Sequence, residues 1–485
     1  MGRPRGYEGR SPQLGARWSA NVSKGHVMKH LLEFTAERAW RYRQSLHDRT
    51  VAPTPEAVAD LRRLDEPLPE APTDPEAVIA LLDDVGSPAT MGSAGGRFFG
   101  FVVGSSLPAP LAANWLAGAW DQNAGIVVLS PIAAKLEAVA MRWMLGLLGL
   151  PPECGAGFVT CATQANFAGL AAARHALLAR QGWDVETRGL FGAPPINVVV
   201  SEHVHVSVLK ALALLGLGRE RVIRAPVDGQ GRIRSDALPR LDAGTILCLQ
   251  AGDVNTGAFD PAAEIIPRAH AAGAWVHVDG AFGLWAAAAP ARAHLVKGFA
   301  DADSWATDAH KWLNVPYDSG IVFVRDPRHL HAAMAVNAPY LVIGETREPE
   351  HYTPDFSRRA RGIEVWAALR SLGRQGLADL IERTCRHAAR FAEGLRAAGY
   401  DILNDVVINQ VLVSFGDPET TKRVVAAIQA DGTCWAGATV WRGRTAMRIS
   451  VSSWATTKDD VERSLAAMIR LAAAPYPGAD RAIAH

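Results

Sequence analysis

Short apolar runs alternate with stretches of helical spacing through the middle of the chain. Phe158–Thr160, Ile196–Ser201, Val222–Arg224, Ile246–Leu249, Trp275–Val278, Ser304–Thr307 and Gly320–Val324 read as seven strands. Runs that are apolar throughout suit strands covered on both faces. The helical stretches between them are long enough for crossover connections, so the pattern predicts a mainly parallel sheet. The loop between the last two runs is too short to hold a crossover helix, which makes that pair antiparallel. Upstream, His26 to Gln44 has helical spacing, with Leu31, Leu32, Phe34, Ala39 and Trp40 forming an apolar stripe. Proline-rich sequence from Pro53 to Pro75 reads as a connector, and Pro75 opens a second helix ending near Asp84. Pro131 opens another helix. Downstream, helices over Ile363–Gly373, 375–398 and Thr457–Leu471 flank strands near Val411–Phe415 and Met447–Val451. The pattern therefore divides into an N-terminal helical arm (1–95), a large α/β domain (96–374) and a smaller C-terminal α+β domain (375–485).

Composition narrows the function classes. Lys+Arg (50) nearly balances Asp+Glu (49) over 485 residues, and no block of like charge suggests nucleic acid as a partner. Cys154, Cys161, Cys248, Cys385 and Cys434 are scattered, with no C-x-x-C pair. They fit a reducing cytoplasm and argue against a disulfide scaffold or a zinc site. Residues 1–30 are basic, read as a ragged arm at their start, and lack the continuous apolar core of a signal peptide. No apolar run is long enough to span a bilayer.

Chemistry enters at the ends of the fifth and sixth runs. Val276-His277-Val278-Asp279-Gly280-Ala281 delivers a carboxylate to a strand end, and Lys311 follows 32 positions later in Thr307-Asp308-Ala309-His310-Lys311-Trp312. Separately, these are a strand-terminal aspartate capping a turn and a solvated lysine. Together they are what pyridoxal phosphate needs. The amine condenses with the cofactor aldehyde, and the carboxylate keeps the pyridine nitrogen protonated so that the ring withdraws electrons. Thr160-Cys161-Ala162-Thr163-Gln164-Ala165-Asn166 follows the first strand and opens a helix; its free amides suit a phosphate, or only a helix cap. There is no G-x-G-x-x-G.

His277-Val278-Asp279-Gly280-Ala281 followed by His310-Lys311-Trp312 resembles the group II pyridoxal-phosphate decarboxylases, which include the aromatic amino acid and glutamate decarboxylases. The resemblance runs from about Arg97 to the C-terminus. It implies the aspartate aminotransferase fold (fold type I), with a seven-stranded mainly parallel sheet and a smaller C-terminal domain. It also implies a homodimer with shared active sites, in which the N-terminal segment packs on the partner. By the same resemblance Lys311 carries the cofactor, Asp279 meets the ring nitrogen and Ala281 packs under the ring. His205 stacks on the ring, with His203 as the competing candidate and a His203/His205 metal pair as a third reading. Ala162, Thr163, Gln164 and His310 hold the phosphate. Phe101, Val102 and Val103, in a glycine- and aromatic-rich loop, wall the substrate pocket with Trp312. Tyr340, on a Pro-, Glu- and Thr-rich loop running to about Phe356, donates the proton after decarboxylation. Asp253 stands where many relatives have threonine, and either binds a cationic substrate group or braces its loop. Arg448 matches an arginine that takes the α-carboxylate in aminotransferases.

The function implied is decarboxylation of an L-amino acid to an amine, with pyridoxal phosphate as cofactor and no metal. Two other readings stay open. One keeps fold and cofactor but runs as a lyase, aminotransferase or decarboxylating aldehyde synthase; the other is a non-catalytic scaffold.

Overall fold

The computed structural model describes residues 24–336 and 347–474. They form two compact units that divide between Gly92 and Ser93.

The first unit is helical: α1 (Lys24–Ser45), α2 (Pro55–Asp60) and α3 (Pro75–Ala89). Thr54 and Asp74 cap α2 and α3 by accepting the amides of Ala57 and Glu76, with proline at the first helical position of each. Arg38 joins α1 to α3 by donating to Asp83 and Asp84, at 2.7 Å each. Two expectations need correction. The proline-rich connector contains α2 and a 3-10 turn at Leu61–Leu64, too short to show a periodic stripe. Helix α3 runs past Asp84 to Ala89, with Pro88 taken into its last turn. Val27, Met28, Leu32 and Trp40 on α1 are exposed.

The second unit contains helices α4 (Pro108–Trp120), α5 (Pro131–Leu148), α6 (Ala162–Ala179), α7 (Val185–Arg188), α8 (Val206–Leu214), α9 (Ala262–Ala271), α10 (Pro327–Met334), α11 (Gly362–Ala397), α12 (Pro418–Asp431) and α13 (Lys458–Ala473). Its larger sheet comprises β1 (Gly155–Val159), β2 (Asn197–Ser201), β3 (Ile223–Ala225), β4 (Thr245–Gln250), β5 (Trp275–Asp279), β6 (Ser304–Asp308) and β7 (Gly320–Val324), in the order β1-β7-β6-β5-β4-β2-β3. Only β7 runs against its neighbours. Every residue of β4, β5, β6 and β7 is buried, which is why these strands lack polar alternation. On one face Leu247, Leu249, Val276, Val278 and Trp305 pack with Met144 of α5 and Leu369 of α11. On the other, Val198, Val200, Ile246 and Val322 pack with the alanine-rich side of α6 and with Val208 and Leu212 of α8.

This topology gathers the site. Because β7 opposes both β1 and β6, those two strands point the same way as β5, β4 and β2. Val159, Ser201, Gln250, Asp279 and Asp308 therefore end at one edge, where α6 and α8 begin. A ligand site outside the carboxyl ends of parallel strands is the general outcome of such a sheet.

Beyond it, α11 breaks at Gly373 (φ 61°), near the expected handover between two helices. A second sheet of β8 (Asp401–Ile402), β9 (Gln410–Ser414), β10 (Gly437–Trp441) and β11 (Arg444–Ser450) has the order β10-β11-β9-β8, all antiparallel. The sequence pattern did not bring out β8 or β10: one has two residues, and the other is a half-exposed edge. The loop expected to run to Phe356 is anchored sooner. Arg347 donates to the Ala156 carbonyl and lies 4.3 Å over the Tyr352 ring, while Glu348, Glu350 and His351 are buried. Tyr340 lies outside the described residues.

Candidate active site

Strand β5 ends on Asp279, and the next turn is tied to β6: Gly280 N–H donates to Ala306 O and Asp308 N–H to Ala281 O, each at 2.9 Å. Asp279 is buried, but donors surround its carboxylate. Ala281 N–H reaches Oδ1 at 3.2 Å; Asn166 Nδ2 and the Ser207 hydroxyl approach Oδ2 at 3.2 and 3.5 Å. The Asn166 carbonyl oxygen accepts from His277 Nε2 at 2.9 Å. His277 Nδ1 then accepts from Ser304 Oγ at 2.8 Å, and Ser304 Oγ accepts from Trp275 Nε1 at 2.9 Å. Burial, against the opposing pull of Asp279, pushes the His277 imidazole down to about 4, so it is neutral at neutral pH. A buried anion with this many donors costs far less than a bare one.

His205 stands at the amino end of α8. Its Nδ1 accepts from Ser207 N–H at 3.2 Å and lies 2.7 Å from the Ser207 hydroxyl, and its own N–H donates to Gln250 Oε1 at 3.2 Å. Burial lowers its pKa first; Asp279 opposes this, and Lys311 and Arg448 add to it. A neutral ring with its proton on Nε2 results, within the fields of both Asp279 and Lys311.

Helix α6 begins with Cys161 at its cap, whose side chain caps nothing. Asp308 of β6 takes that role from across the sheet: its Oδ1 accepts the Ala162 amide at 2.6 Å. Its Oδ2 pairs with Lys311 Nζ at 3.0 Å, and His310 Nε2 lies 3.7 Å away. His310 Nδ1 accepts from Ser319 N–H at 3.1 Å, which leaves the ring proton on Nε2; the Tyr317 ring lies against it, tilted by 31° with centroids 4.3 Å apart. Burial lowers the His310 pKa, against Asp308. Gln164 spends its side-chain oxygen on Thr160 N–H at 3.1 Å. Its backbone amide and that of Thr163, in the first turn, have no intrahelical acceptor.

The segment from Phe98 to Gly104 packs on Trp435 and ends beside the Lys311 backbone. A Cβ on Gly104 would stand 2.0 Å from the Lys311 carbonyl oxygen, so only glycine lets the two backbones meet. Phe101 and Val102 both adopt left-handed backbone (φ 54° and 57°), a conformation disfavoured for any side chain and worst for a β-branched one. Val102 is buried, Val103 half-buried, and Phe101 is 64% exposed against the Trp435 ring. Trp312 is different from expectation: it is fully buried, and its indole N–H donates to Thr384 Oγ1 of α11 at 2.9 Å. Its size and apolar character are used in the core, not in a pocket wall.

Asp253 braces its loop, as one of its two readings expects. Oδ1 accepts the amides of Asn255 and Thr256 at 2.8 and 2.9 Å. Arg448 donates to Val254 O at 3.2 Å and to Asn255 Oδ1 at 3.4 Å; burial lowers its pKa, and Asp253 opposes that.

Among the described residues, several buried polar atoms at this edge have no partner in the protein, including Ser319 Oγ beside His310 and Gln250 Nε2 beside His205. Orphaned polar atoms beside the first turn of α6, whose Thr163 and Gln164 amides lack intrahelical acceptors, a reachable lysine and a donor-wrapped carboxylate fit pyridoxal phosphate. Asn166, Ser207, His277, Asp308 and Ser319 carry much of this geometry and had no assigned role in the sequence. Asn166, His277 and Asp308 act through contacts between distant chain segments, as Ser207 does toward Asp279, and nothing local marks these contacts.

Comparison with known proteins accords with this geometry. The family described as the pyridoxal-dependent decarboxylase conserved domain matches residues 59–416. An L-2,4-diaminobutyrate decarboxylase of Rhizobium meliloti is 30% identical over 436 residues, covering 83% of each chain. A phenylacetaldehyde synthase of Petunia hybrida is 28% identical over 356 residues, covering 68% of this chain and 69% of its own. A crystal structure of Oryza sativa TDC with PLP and tryptamine superposes with a TM-score of 0.86 at 21% identity, over 94% of this chain and 99% of that one. The chain thus belongs to the pyridoxal-dependent decarboxylase family and is a carboxy-lyase that uses pyridoxal phosphate to decarboxylate amino acids.

Proposed function

We propose that the chain converts an L-amino acid with an aromatic or aliphatic side chain to the corresponding amine, in a site built on Lys311, Asp279 and His205. The observation that carries the residue assignment is the position of His205: a neutral imidazole at a helix end, acted on at once by the charges of Asp279 and Lys311. When bound, pyridoxal phosphate supplies an aldehyde for Lys311 and a protonated ring that draws electrons away from the bonds at the substrate Cα.

The remaining work falls to the protein. Lys311 would tether the cofactor through its amine, and the same amine can hold a proton beside the substrate Cα. Asp279, held by the Asn166 amide and the Ala281 amide, would face the ring nitrogen. His205 would cover the cofactor ring and keep water from it, and the small side chain of Ala281 would leave room for the ring. The amides of Ala162, Thr163 and Gln164, with His310 Nε2–H, hold the phosphate. Phe101, Val102 and Val103 would orient the substrate side chain and with it the bond to be broken at Cα. Tyr340 is assigned the proton delivered to Cα on its sequence resemblance alone.

The same reading makes the protein a cytoplasmic homodimer. Exposed Val27, Met28, Leu32 and Trp40 on α1 support the dimer, and five cysteines without a disulfide support the compartment. No helix among the described residues is long and apolar enough to cross a membrane. We place the division between large and small domains at 374/375, beside the Gly373 break.

Purified protein with added cofactor, given a panel of amino acids, tests the proposal when carbon dioxide, amine, aldehyde and ammonia are measured together. Equimolar amine and carbon dioxide from an aromatic or aliphatic amino acid are expected. Aldehyde with ammonia, or turnover only of charged amino acids, would overturn the product or the substrate class.

A further inference from the structure

Asp308 is 2% exposed and joins the two groups that must each change partner when the cofactor arrives. One oxygen occupies the Ala162 amide at the head of α6, an 18-residue helix with no side-chain cap of its own. The other holds the Lys311 ammonium. The amino end of a helix carries about half a positive charge, and a carboxylate already seated there opposes a phosphate approaching the same turn. The ammonium cannot attack an aldehyde until it loses a proton.

We propose that Asp308 is a latch that couples phosphate entry to activation of Lys311. In the cofactor-free chain its carboxylate screens the helix end and holds Lys311 Nζ in an ion pair. As the phosphate seats on the first turn of α6, the proton passes from Nζ to Asp308 Oδ2. That transfer neutralises the competing anion and frees the amine together. The amine nitrogen then bonds to the aldehyde carbon, the carbonyl oxygen leaves as water, and a C=N bond remains. His310 Nε2 also lies 3.7 Å from Asp308 Oδ2. The inference rests on the proposed seating of the phosphate on the first turn of α6.

Asp308→Asn separates the two functions, because its amide oxygen can still cap Ala162 while its charge and basicity are gone. Binding of pyridoxine 5′-phosphate, which lacks the aldehyde, reads the phosphate seat alone. Borohydride trapping of pyridoxal 5′-phosphate on Lys311 reads the covalent step. The variant is expected to bind pyridoxine 5′-phosphate about tenfold more tightly than the unsubstituted chain and to form the C=N bond about tenfold more slowly. Equal or weaker binding, or an unchanged trapping rate, overturns the latch. If neither protein distinguishes pyridoxine 5′-phosphate from pyridoxine, the phosphate seat itself is misassigned. A third measurement needs no variant: millimolar inorganic phosphate should raise the melting temperature of the cofactor-free chain no more than chloride at equal ionic strength. A rise of several degrees overturns the proposal.

Discussion

Asn166 on α6 clamps Asp279: its amide nitrogen donates to Asp279 Oδ2 at 3.2 Å while its carbonyl oxygen accepts from His277 Nε2 at 2.9 Å. One buried carboxamide thereby fixes a carboxylate at the end of β5 and a neutral imidazole two residues earlier on the same strand. Asn166→Ala leaves both without that partner. We expect a loss of about 1–3 kcal/mol in urea denaturation, together with lower activity at saturating cofactor. Unaltered stability would mean that solvent replaces the amide.

Asp279→Asn keeps the shape of the side chain and removes its charge. The protonated ring nitrogen then lacks a counter-ion where electron demand develops. The rate should fall on the order of a hundredfold, as when a preorganised electrostatic partner is removed. A loss below about threefold at saturating cofactor would show that Asp279 does not face the ring.

Lys311→Ala should fold, because the side chain is partly exposed and its ion pair lies at the site rather than in the core. The variant is expected to hold cofactor only without a covalent link, to resist borohydride trapping and to have no turnover. Near-normal amine production would refute its assignment.

His277 makes stability depend on pH. Its imidazole titrates at about 4 when folded, against an ordinary value of 6.5. Between these values the unfolded chain holds the extra proton, so stability rises with pH across that window. The stabilisation is complete above 6.5 and is lost as pH falls toward 4. Urea midpoints measured from pH 7.5 to 4.5 should decline, and the decline should be shallower in His277→Gln. Identical slopes in the two proteins would assign the acid sensitivity to other groups.

Tyr340→Phe tests the chemistry after carbon dioxide has left. Phenylalanine keeps the bulk and carries no exchangeable proton. The variant should still consume amino acid and release carbon dioxide, while product shifts from amine toward aldehyde with ammonia. An unchanged amine yield and rate would remove Tyr340 as the proton donor.

The sequence by itself determined the strands of the larger sheet, the antiparallel turn between β6 and β7, and the residues at strand ends. Burial on both faces writes itself into continuous apolar runs, and a strand that ends on Asp279 must present that carboxylate at the sheet edge. Local rules also located a helix start at Pro75, since Asp74 before a proline is a capping signal within a few residues, whereas Thr54 before Pro55 carries the same signal in a helix too short to show a stripe. Partnership required the tertiary structure. Asn166 meets Asp279 across 113 positions, Asp308 caps Ala162 across 146, and Trp312 spends its indole N–H on Thr384, 72 positions away. Such contacts leave no periodic trace, because a hydrogen bond depends on where two side chains meet in space and not on their spacing in the chain. Trp312 shows the consequence: its place in a family-like motif suggested a pocket wall, and packing against α11 put it in the core.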